Sequence, residues 1–298
     1  FNGNIAYNIN RVTDLGGLES ITAQSYWAST EIGDDYIVQV GQPLGNMYGY
    51  RNDGFYTADD FTGYSNGKWT LKEGVADNSS VIGSAYMRPG AIKLKDLNGD
   101  GKVTVADREV IGNAAPDFTG GFSLSAYLKG VDFSANFTYM IGNEVYNANK
   151  VEFTSSRKYY NRNLLNMMDV DKRWTNIDWT TGELVNDLDQ LRSMNSGKTM
   201  WSPAVGSAVF SDWAVEDASF LRLQSVTLGY TLPETLTSKF HVRKLRVYAT
   251  GTNLFCLTNY SGYDPEVDTR RSTPLTPGVD YSAYPKSIGF VAGINLTF

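Results

Sequence analysis

The sequence predicts an all-β fold: an antiparallel transmembrane β-barrel segment of about six strands with long loops. Three observations predict it. The closing stretch, Ser287 to Phe298, places Ile288, Phe290, Ala292, Ile294, Leu296 and Phe298 at every second position. Gly289, Val291, Gly293, Asn295 and Thr297 lie between them. Side chains alternate faces along a strand, so one face is wholly apolar and the other small and mostly polar. A lipid-facing barrel wall needs that pattern, whereas chain ends exposed to water are usually frayed and polar. Second, the same two-residue period recurs along the chain. Third, the connections between the periodic segments alternate long and short, as short periplasmic turns and long extracellular loops do.

The composition agrees with this class. The 298 residues include 29 Gly and 19 Tyr, and 13% are aromatic. That mixture suits strands and turns with Tyr at interfaces. A formal net charge of −6 argues against nucleic acid as a partner. The single cysteine, Cys256, excludes an internal disulfide. No apolar run is long enough for a transmembrane helix. A mean hydropathy of −0.30 is compatible with a barrel, because half of each strand faces a wet lumen.

The first strand is expected from Phe1 to about Arg11. Phe1, Gly3, Ile5, Tyr7 and Ile9 share one face; Asn2, Asn4, Ala6, Asn8 and Asn10 share the other. A face of asparagines suits a water-filled interior. The chain opens inside this pattern, and is expected to be the C-terminal part of a longer polypeptide. An irregular region follows over residues 13–117, with strand-like pieces at Tyr36–Val40 and Asn46–Tyr56. From Gly121 the period is regular. Phe122, Leu124, Ala126 and Leu128 precede a two-residue turn at Lys129-Gly130, after which Val131, Phe133, Ala135, Phe137 and Tyr139 alternate with polar residues. A second long segment, 142–217, carries Trp174, Trp179, Trp201 and Trp213, and a short helix is expected at Leu164–Arg173. Loop packing is the ordinary role for these tryptophans, and stacking on sugar rings the alternative. Ser219 to Thr231 is the next strand, with Val226, Leu228 and Tyr230 on one face. Leu245, Val247, Ala249 and Gly251 mark another. Residues 253–285 form a third long connection before the closing strand.

The sharpest chemical motif is Asp96-Leu97-Asn98-Gly99-Asp100-Gly101-Lys102-Val103-Thr104-Val105-Ala106-Asp107, which follows the calcium-loop template. Asp96, Asn98 and Asp100 take positions one, three and five. Gly101 permits the sharp turn at six. Lys102 offers its carbonyl at seven, Val103 is the apolar anchor at eight, and Thr104 stands at nine. Asp107 falls at twelve, where the longer Glu is usual. Pro89-Gly90 before and Ile111-Gly112-Asn113 after it disfavour flanking helices. The expectation is an isolated loop that binds Ca2+ structurally; the competing reading is an Asx-rich turn held by its own side-chain to backbone bonds.

Catalysis has little support in the residues. One histidine, His241, falls in a predicted turn, so a Ser–His–Asp arrangement lacks its base. Asp34-Asp35 and Asp59-Asp60 read as solvated loop charge rather than a glycosidase pair. Cys256 reads as a buried small residue. Arg270-Arg271 reads as an exposed loop pair, with an anionic partner as the alternative.

The chain resembles the C-terminal portion of SusC/RagA-type TonB-dependent outer-membrane transporters. The resemblance lies in Gly45–Gly54 with Tyr48-Gly49-Tyr50, Asp96–Asp107 with Arg108 and Ile111-Gly112-Asn113, Gly142-Asn143 with Tyr146-Asn147, Ser219-Phe220-Leu221-Arg222-Leu223 through Leu228-Gly229-Tyr230-Thr231-Leu232-Pro233, Asn253-Leu254-Phe255, Gly262-Tyr263-Asp264-Pro265-Glu266, Tyr284-Pro285 and Asn295-Leu296-Thr297-Phe298. It covers nearly the whole chain. Arg173-Trp174-Thr175 matches only in part.

The resemblance implies a barrel of roughly 22 strands, of which this chain supplies about six C-terminal ones. An N-terminal plug and a TonB-binding segment would lie outside residues 1–298. Residues 13–117, 142–217 and 253–285 become extracellular loops, and the C-terminus becomes periplasmic. Implied partners are a SusD-like lipoprotein, the remaining barrel and plug, the TonB complex, outer-membrane lipid, and an oligosaccharide or peptide substrate. The activity is energy-coupled import, with no enzyme chemistry. The alternative is a calcium-stabilised surface binding or adhesion module without transport.

Overall fold

A computed structural model describes residues 1–28, 31–158, 160–269 and 273–298. Six strands form one sheet in chain order: β1 (Asn2–Tyr7), β2 (Phe118–Leu128), β3 (Val131–Ile141), β4 (Phe220–Thr231), β5 (Lys244–Thr258) and β6 (Gly289–Thr297). Every neighbouring pair is antiparallel. Among the described residues no helix is long and apolar enough to cross a membrane.

Cross-strand register assigns the faces. Phe122, Phe137 and Leu223 stand in one row; Ala126, Phe133, Leu228 and Ala249 stand in another. Val247 is paired with Ile294 and Leu245 with Leu296. These residues share one face, and most of its large side chains are open: Leu228 is 57% exposed and Phe290 79%. The opposite face carries Asn4, Ser123, Asn136, Ser225, Thr227, Thr250 and Asn295. On it, Asn136 donates to Ser225 Oγ at 2.9 Å, and the Thr227 and Thr250 hydroxyls lie 2.8 Å apart. The sheet is therefore two-faced across all six strands, as the period predicts.

The Lys129-Gly130 turn closes the β2–β3 hairpin with φ of 47° and 88°. Positive φ at both central residues gives the turn that matches strand twist, and Gly130 makes the second position cheap.

Two features depart from a simple alternation. The β3–β4 register shifts at Asn136/Phe137, and the β4–β5 register shifts between Leu223 and Ser225. An extra residue in a strand forms a bulge and flips the side chains beyond it. Gln224 absorbs that shift, so Leu221 and Leu223 join the apolar face while Arg222 turns to the polar one. On β5 the bulge falls at Asn253, whose φ is 52°. Beyond it the strand resumes as far as Thr258, so the third connection starts after Thr258 rather than at Asn253.

The long connections are folded. The first contains a four-stranded sheet of Ser20–Ala23, Tyr36–Gln39, Asn46–Gly49 and Glu109–Asn113. Glu144–Asn147 in the second pairs with Val215–Asp217 and, in parallel, with Val279–Asp280 of the third. One buried cluster joins all three connections: Trp27, Tyr36 and Met47 from the first, Tyr146 and Phe210 from the second, Val279 from the third. The Tyr146 and Phe210 rings stack with centroids 3.7 Å apart, and Trp27 Nε1 donates to the Tyr146 hydroxyl at 2.7 Å. Each fully buried side chain of this size contributes roughly 1.5–3 kcal/mol.

The helix expected at Leu164–Arg173 is reduced to one 3-10 turn, Asn166–Met168. Its neighbours recruit the backbone instead. Leu165 N–H donates to Phe153 O, and Lys172 O accepts from both Thr199 and Met200. The helices of this connection lie at Ala148–Phe153 and Leu188–Met194. The second starts at Asp187, which caps it by accepting from Gln190 N–H at 2.8 Å.

Candidate functional site

The calcium-type loop sits in the first connection and is anchored from inside. Val103, its apolar residue, is fully buried with Leu94, Ile82 and Trp201. Asp77 clamps the backbone on both sides: its N–H donates to Gly101 O at 3.0 Å and its O accepts from Val103 N–H at 2.9 Å. Gly99 and Gly101 take φ of 77° and 84°, which favours glycine at both positions.

The oxygen-bearing side chains bind the loop's own backbone. Asp96 Oδ1 accepts from Gly99 N–H and its Oδ2 from Gly101 N–H, both at 2.7 Å. Asn98 Oδ1 accepts from Asp100 N–H at 2.9 Å, and Asp100 Oδ1 from Lys102 N–H at 2.8 Å. Asp107 is buried. Its Oδ1 accepts from Leu97 N–H at 2.9 Å and Asn98 N–H at 3.3 Å, while Oδ2 accepts from Thr104 N–H at 2.8 Å. Burial alone would raise its pKa. The hydrogen bonds from Thr104, Leu97 and Asn98 outweigh that and hold it below the usual carboxylate range. Among the described residues no group of three or more His, Cys, Asp or Glu gathers closely enough to hold a metal ion. Asp96, Asn98, Asp100, Thr104 and the Lys102 carbonyl are oxygen donors of the type a hard cation takes, and Asn98 and Asp100 are exposed.

Arg108, directly after the loop, ties it to the first connection's sheet. Its Nη2 donates to Tyr48 O at 2.6 Å and to Asp34 O, and its guanidinium lies 4.3 Å from the Tyr48 ring centroid. Nearby Asp35 is buried rather than solvated, contrary to expectation. Its carboxylate accepts from Ser25 N–H at 2.7 Å and from Ser25 Oγ–H. Burial pushes its pKa up to about 6 against the opposing Ser25 bonds and Arg108 charge. A lone acidic pair in sequence gives no sign that one member points inward.

The other acidic pair is structural. Asp60 caps the short turn at Thr57 and pairs with Lys93 at 3.0 Å, and Asp59 pairs with Arg192 at 2.7 Å. His241 takes a left-handed φ of 57° in the β4–β5 connection. Cys256 is half-buried on β5. Trp174 and Trp201 are buried, and Trp213 packs edge-on against Trp201 at 4.5 Å. Loop packing accounts for those three; Trp179 is 66% exposed. Arg270-Arg271 lies outside the described residues.

Sequence reading missed a polar network where the third connection meets the wall. Arg222 Nη2 donates to Asp264 Oδ1 at 2.6 Å, and Nε donates to Glu266 Oε2 at 2.6 Å. Lys286 Nζ also reaches Glu266. Arg222 and Asp264 are each 4% exposed. The motif residues Leu221-Arg222-Leu223 and Tyr263-Asp264-Pro265-Glu266 are thus one contact. Their pairing depends on the bulge at Gln224, which no periodicity reports.

No family model matches the chain. TonB-dependent receptor P39 of Formosa agariphila is 29% identical over 316 aligned residues, covering 99% of this chain and 28% of that protein. TonB-dependent receptor P3 of the same organism is 29% identical, covering 88% of this chain and 23% of its own length. TonB-dependent receptor SusC of Bacteroides thetaiotaomicron is 25% identical, covering 99% and 24%. A structure of the RagAB peptide importer in the open-open state superposes with a TM-score of 0.62 at 25% identity, covering 99% of this chain and 26% of that one. A structure of the RagAB peptide transporter gives 0.64 at 24%, a likeness of fold. These homologues are receptors and transporters, not enzymes, and the resemblance read from the sequence is borne out. The chain spans about a quarter of the length of the curated relatives it matches.

Proposed function

We propose that this chain, a homologue of TonB-dependent receptors, forms the C-terminal part of the barrel wall and outer loops of an energy-coupled outer-membrane importer. The observation that carries the reading is the two-faced sheet. Its apolar side offers Leu228, Phe290, Ile294 and Leu296 outward, and its polar side is hydrogen-bonded across strands. In hydrocarbon every backbone group must be paired. The outer edges of β1 and β6 therefore require further strands, which the rest of a roughly 22-stranded barrel supplies. Residues 1–298 lie wholly within that barrel part, apart from the plug and the TonB-binding segment.

In this reading the three long connections face outward and Phe298 lies on the periplasmic side with the short turns. A SusD-like lipoprotein caps the loops. The cargo is a peptide or an oligosaccharide; the RagAB structures are of a peptide importer, which supports the first.

Calcium is the proposed ligand of the Asp96–Asp107 loop. Asp96, Asn98, Asp100, Thr104 and the Lys102 carbonyl provide the oxygens. Asp107 serves chiefly to hold the loop, since its carboxylate already accepts from three backbone N–H groups. The ion would supply rigidity rather than chemistry.

Mass spectrometry of the affinity-purified outer-membrane complex tests the reading. Recovery of this chain within a longer polypeptide, together with a surface lipoprotein, is the expected result. A water-soluble chain found alone would overturn it.

A further inference from the structure

A cavity of about 770 Å³ opens between the Phe61–Ser65/Lys68–Leu71 hairpin and the segment around Asn176. Tyr64 and Trp69 line it from the hairpin, with their ring centroids 5.1 Å apart. Arg88, Asp77, Lys68 and Asn176 also line it.

Arg88 is the unusual member. It is half-buried, yet among the described residues it forms no ion pair, and its only contact of that kind is with the Tyr86 ring, 5.7 Å from its guanidinium carbon. Other guanidiniums at least partly withdrawn from water have oxygen partners: Arg51 pairs with Glu109, Arg157 with Glu31, Arg222 with Asp264 and Arg246 with Asp132, while Arg108 donates to Tyr48 O and Asp34 O and Arg173 to Met168 O. Burial lowers the Arg88 pKa, which marks the charge as incompletely compensated. A guanidinium has a fixed fork of donors that fits a planar oxyanion with two bonds.

We propose that this cavity binds a ligand carrying one carboxylate, which Arg88 receives while Trp69 and Tyr64 contact the ligand's apolar face. Two features select a single carboxylate over a doubly charged phosphate. Only one guanidinium is present, and of the two cations that line the cavity, Arg88 and Lys68, one is offset by the carboxylate of Asp77 in the same wall. The cavity is wide enough for more than the anion itself, so the carboxylate would belong to a peptide terminus or a uronic acid residue. The site is made wholly by the first and second connections, and it stands or falls separately from import.

The test is a binding titration on the full polypeptide in detergent, with acetyl-Gly-Gly-Gly acid, its C-terminal amide, trigalacturonate and neutral galactotriose as probes. One of the two acids should bind at least about tenfold more tightly than its neutral counterpart, and which acid does so assigns the source of the carboxylate. Arg88→Gln should remove that preference, and Arg88→Lys should retain part of it. If Arg88→Gln does not fold, Asn186→Asp, at an exposed residue of the same lining, places a second negative charge in the cavity and should weaken the acid alone. Equal binding of acid and neutral probes, no binding of either acid, or an Arg88→Gln protein with unchanged preference would overturn the proposal.

Discussion

Arg246 on β5 reaches over Gly229 of β4 to Asp132 on β3, with Nε 2.8 Å from Oδ1. Register pairs Asp132 with Gly229 directly, while Arg246 lies opposite Thr231. A strand is crossed by one ion pair, and the residue crossed has no side chain. A Cβ on Gly229 would stand 2.5 Å from Arg246 Nη2 and 2.6 Å from both Asp132 carboxylate oxygens. Tyr248 continues the row, with its ring 4.9 Å from the Arg246 guanidinium and lying over Gly293. Three strands are thereby fixed in register on the polar face.

Gly229→Leu should displace that pair. Overpacking and the lost contact should destabilise the wall by about 1–3 kcal/mol. Thermal unfolding of the detergent-solubilised protein measures it, and an unchanged midpoint would show that the crossing is incidental.

The Arg222–Asp264 contact should be more sensitive. Removing one partner leaves the other charged and buried, at a cost of about 3–5 kcal/mol. Arg222→Gln should therefore release the third connection, read as new protease cleavage within residues 259–288. Arg222→Gln combined with Asp264→Asn should recover part of the protection. Cleavage unaltered by Arg222→Gln would contradict the anchoring role.

Calcium should raise the thermal midpoint of the protein, and EDTA should reverse it. At about a hundredfold excess over the dissociation constant the gain is about 2.7 kcal/mol. Asp96→Ala and Asp100→Ala should abolish the response; Asp96→Ala should also lower the calcium-free midpoint, because it removes two backbone hydrogen bonds, and Asp100→Ala should lower it less, because it removes one. An identical midpoint with and without calcium would leave the loop as a self-bonded Asx turn.

Asp35 predicts a specific pH dependence. Its pKa is raised from 3.8 to about 6 by burial, so the folded state holds a proton that the unfolded state has released. The stabilising contribution is complete below about pH 4 and is lost as pH rises through about 6. Asp35→Asn should flatten the stability profile between those values. A profile that keeps its slope in the variant would assign it to other groups.

The six strands were legible because each exposes two chemically different sides, and that leaves a period of two. Lys129-Gly130 was legible for a local reason, since a two-residue hairpin turn asks for positive φ. Gln224 and Asn253 were not. A bulge is set by how three strands fit together, and it moved Arg222 to the face opposite the one a continuous alternation gives. The folded loops were hidden for a related reason. Trp27, Tyr146, Phe210 and Val279 meet from three connections, and nothing local to any of them announces the contact. Helix Leu188–Met194 did leave a signal, an Asp187 cap followed by Leu188 and Leu191. In the calcium-type loop the glycines and the Val103 anchor stand where the template puts them, and the template does not say whether the carboxylates turn to an ion or to the backbone.

The central claim is that the long connections face the outside and the short turns the periplasm. Single cysteines at Tyr263 and at Lys129, each in a Cys256→Ser background, can be exposed in intact cells to a membrane-impermeant maleimide. Tyr263 is 79% exposed in the third connection, and Lys129 sits at the opposite end of the sheet. The account predicts labelling at position 263 in whole cells and at 129 only after the outer membrane is permeabilised. Labelling of 129 in intact cells with 263 protected, or of both positions alike, would contradict it.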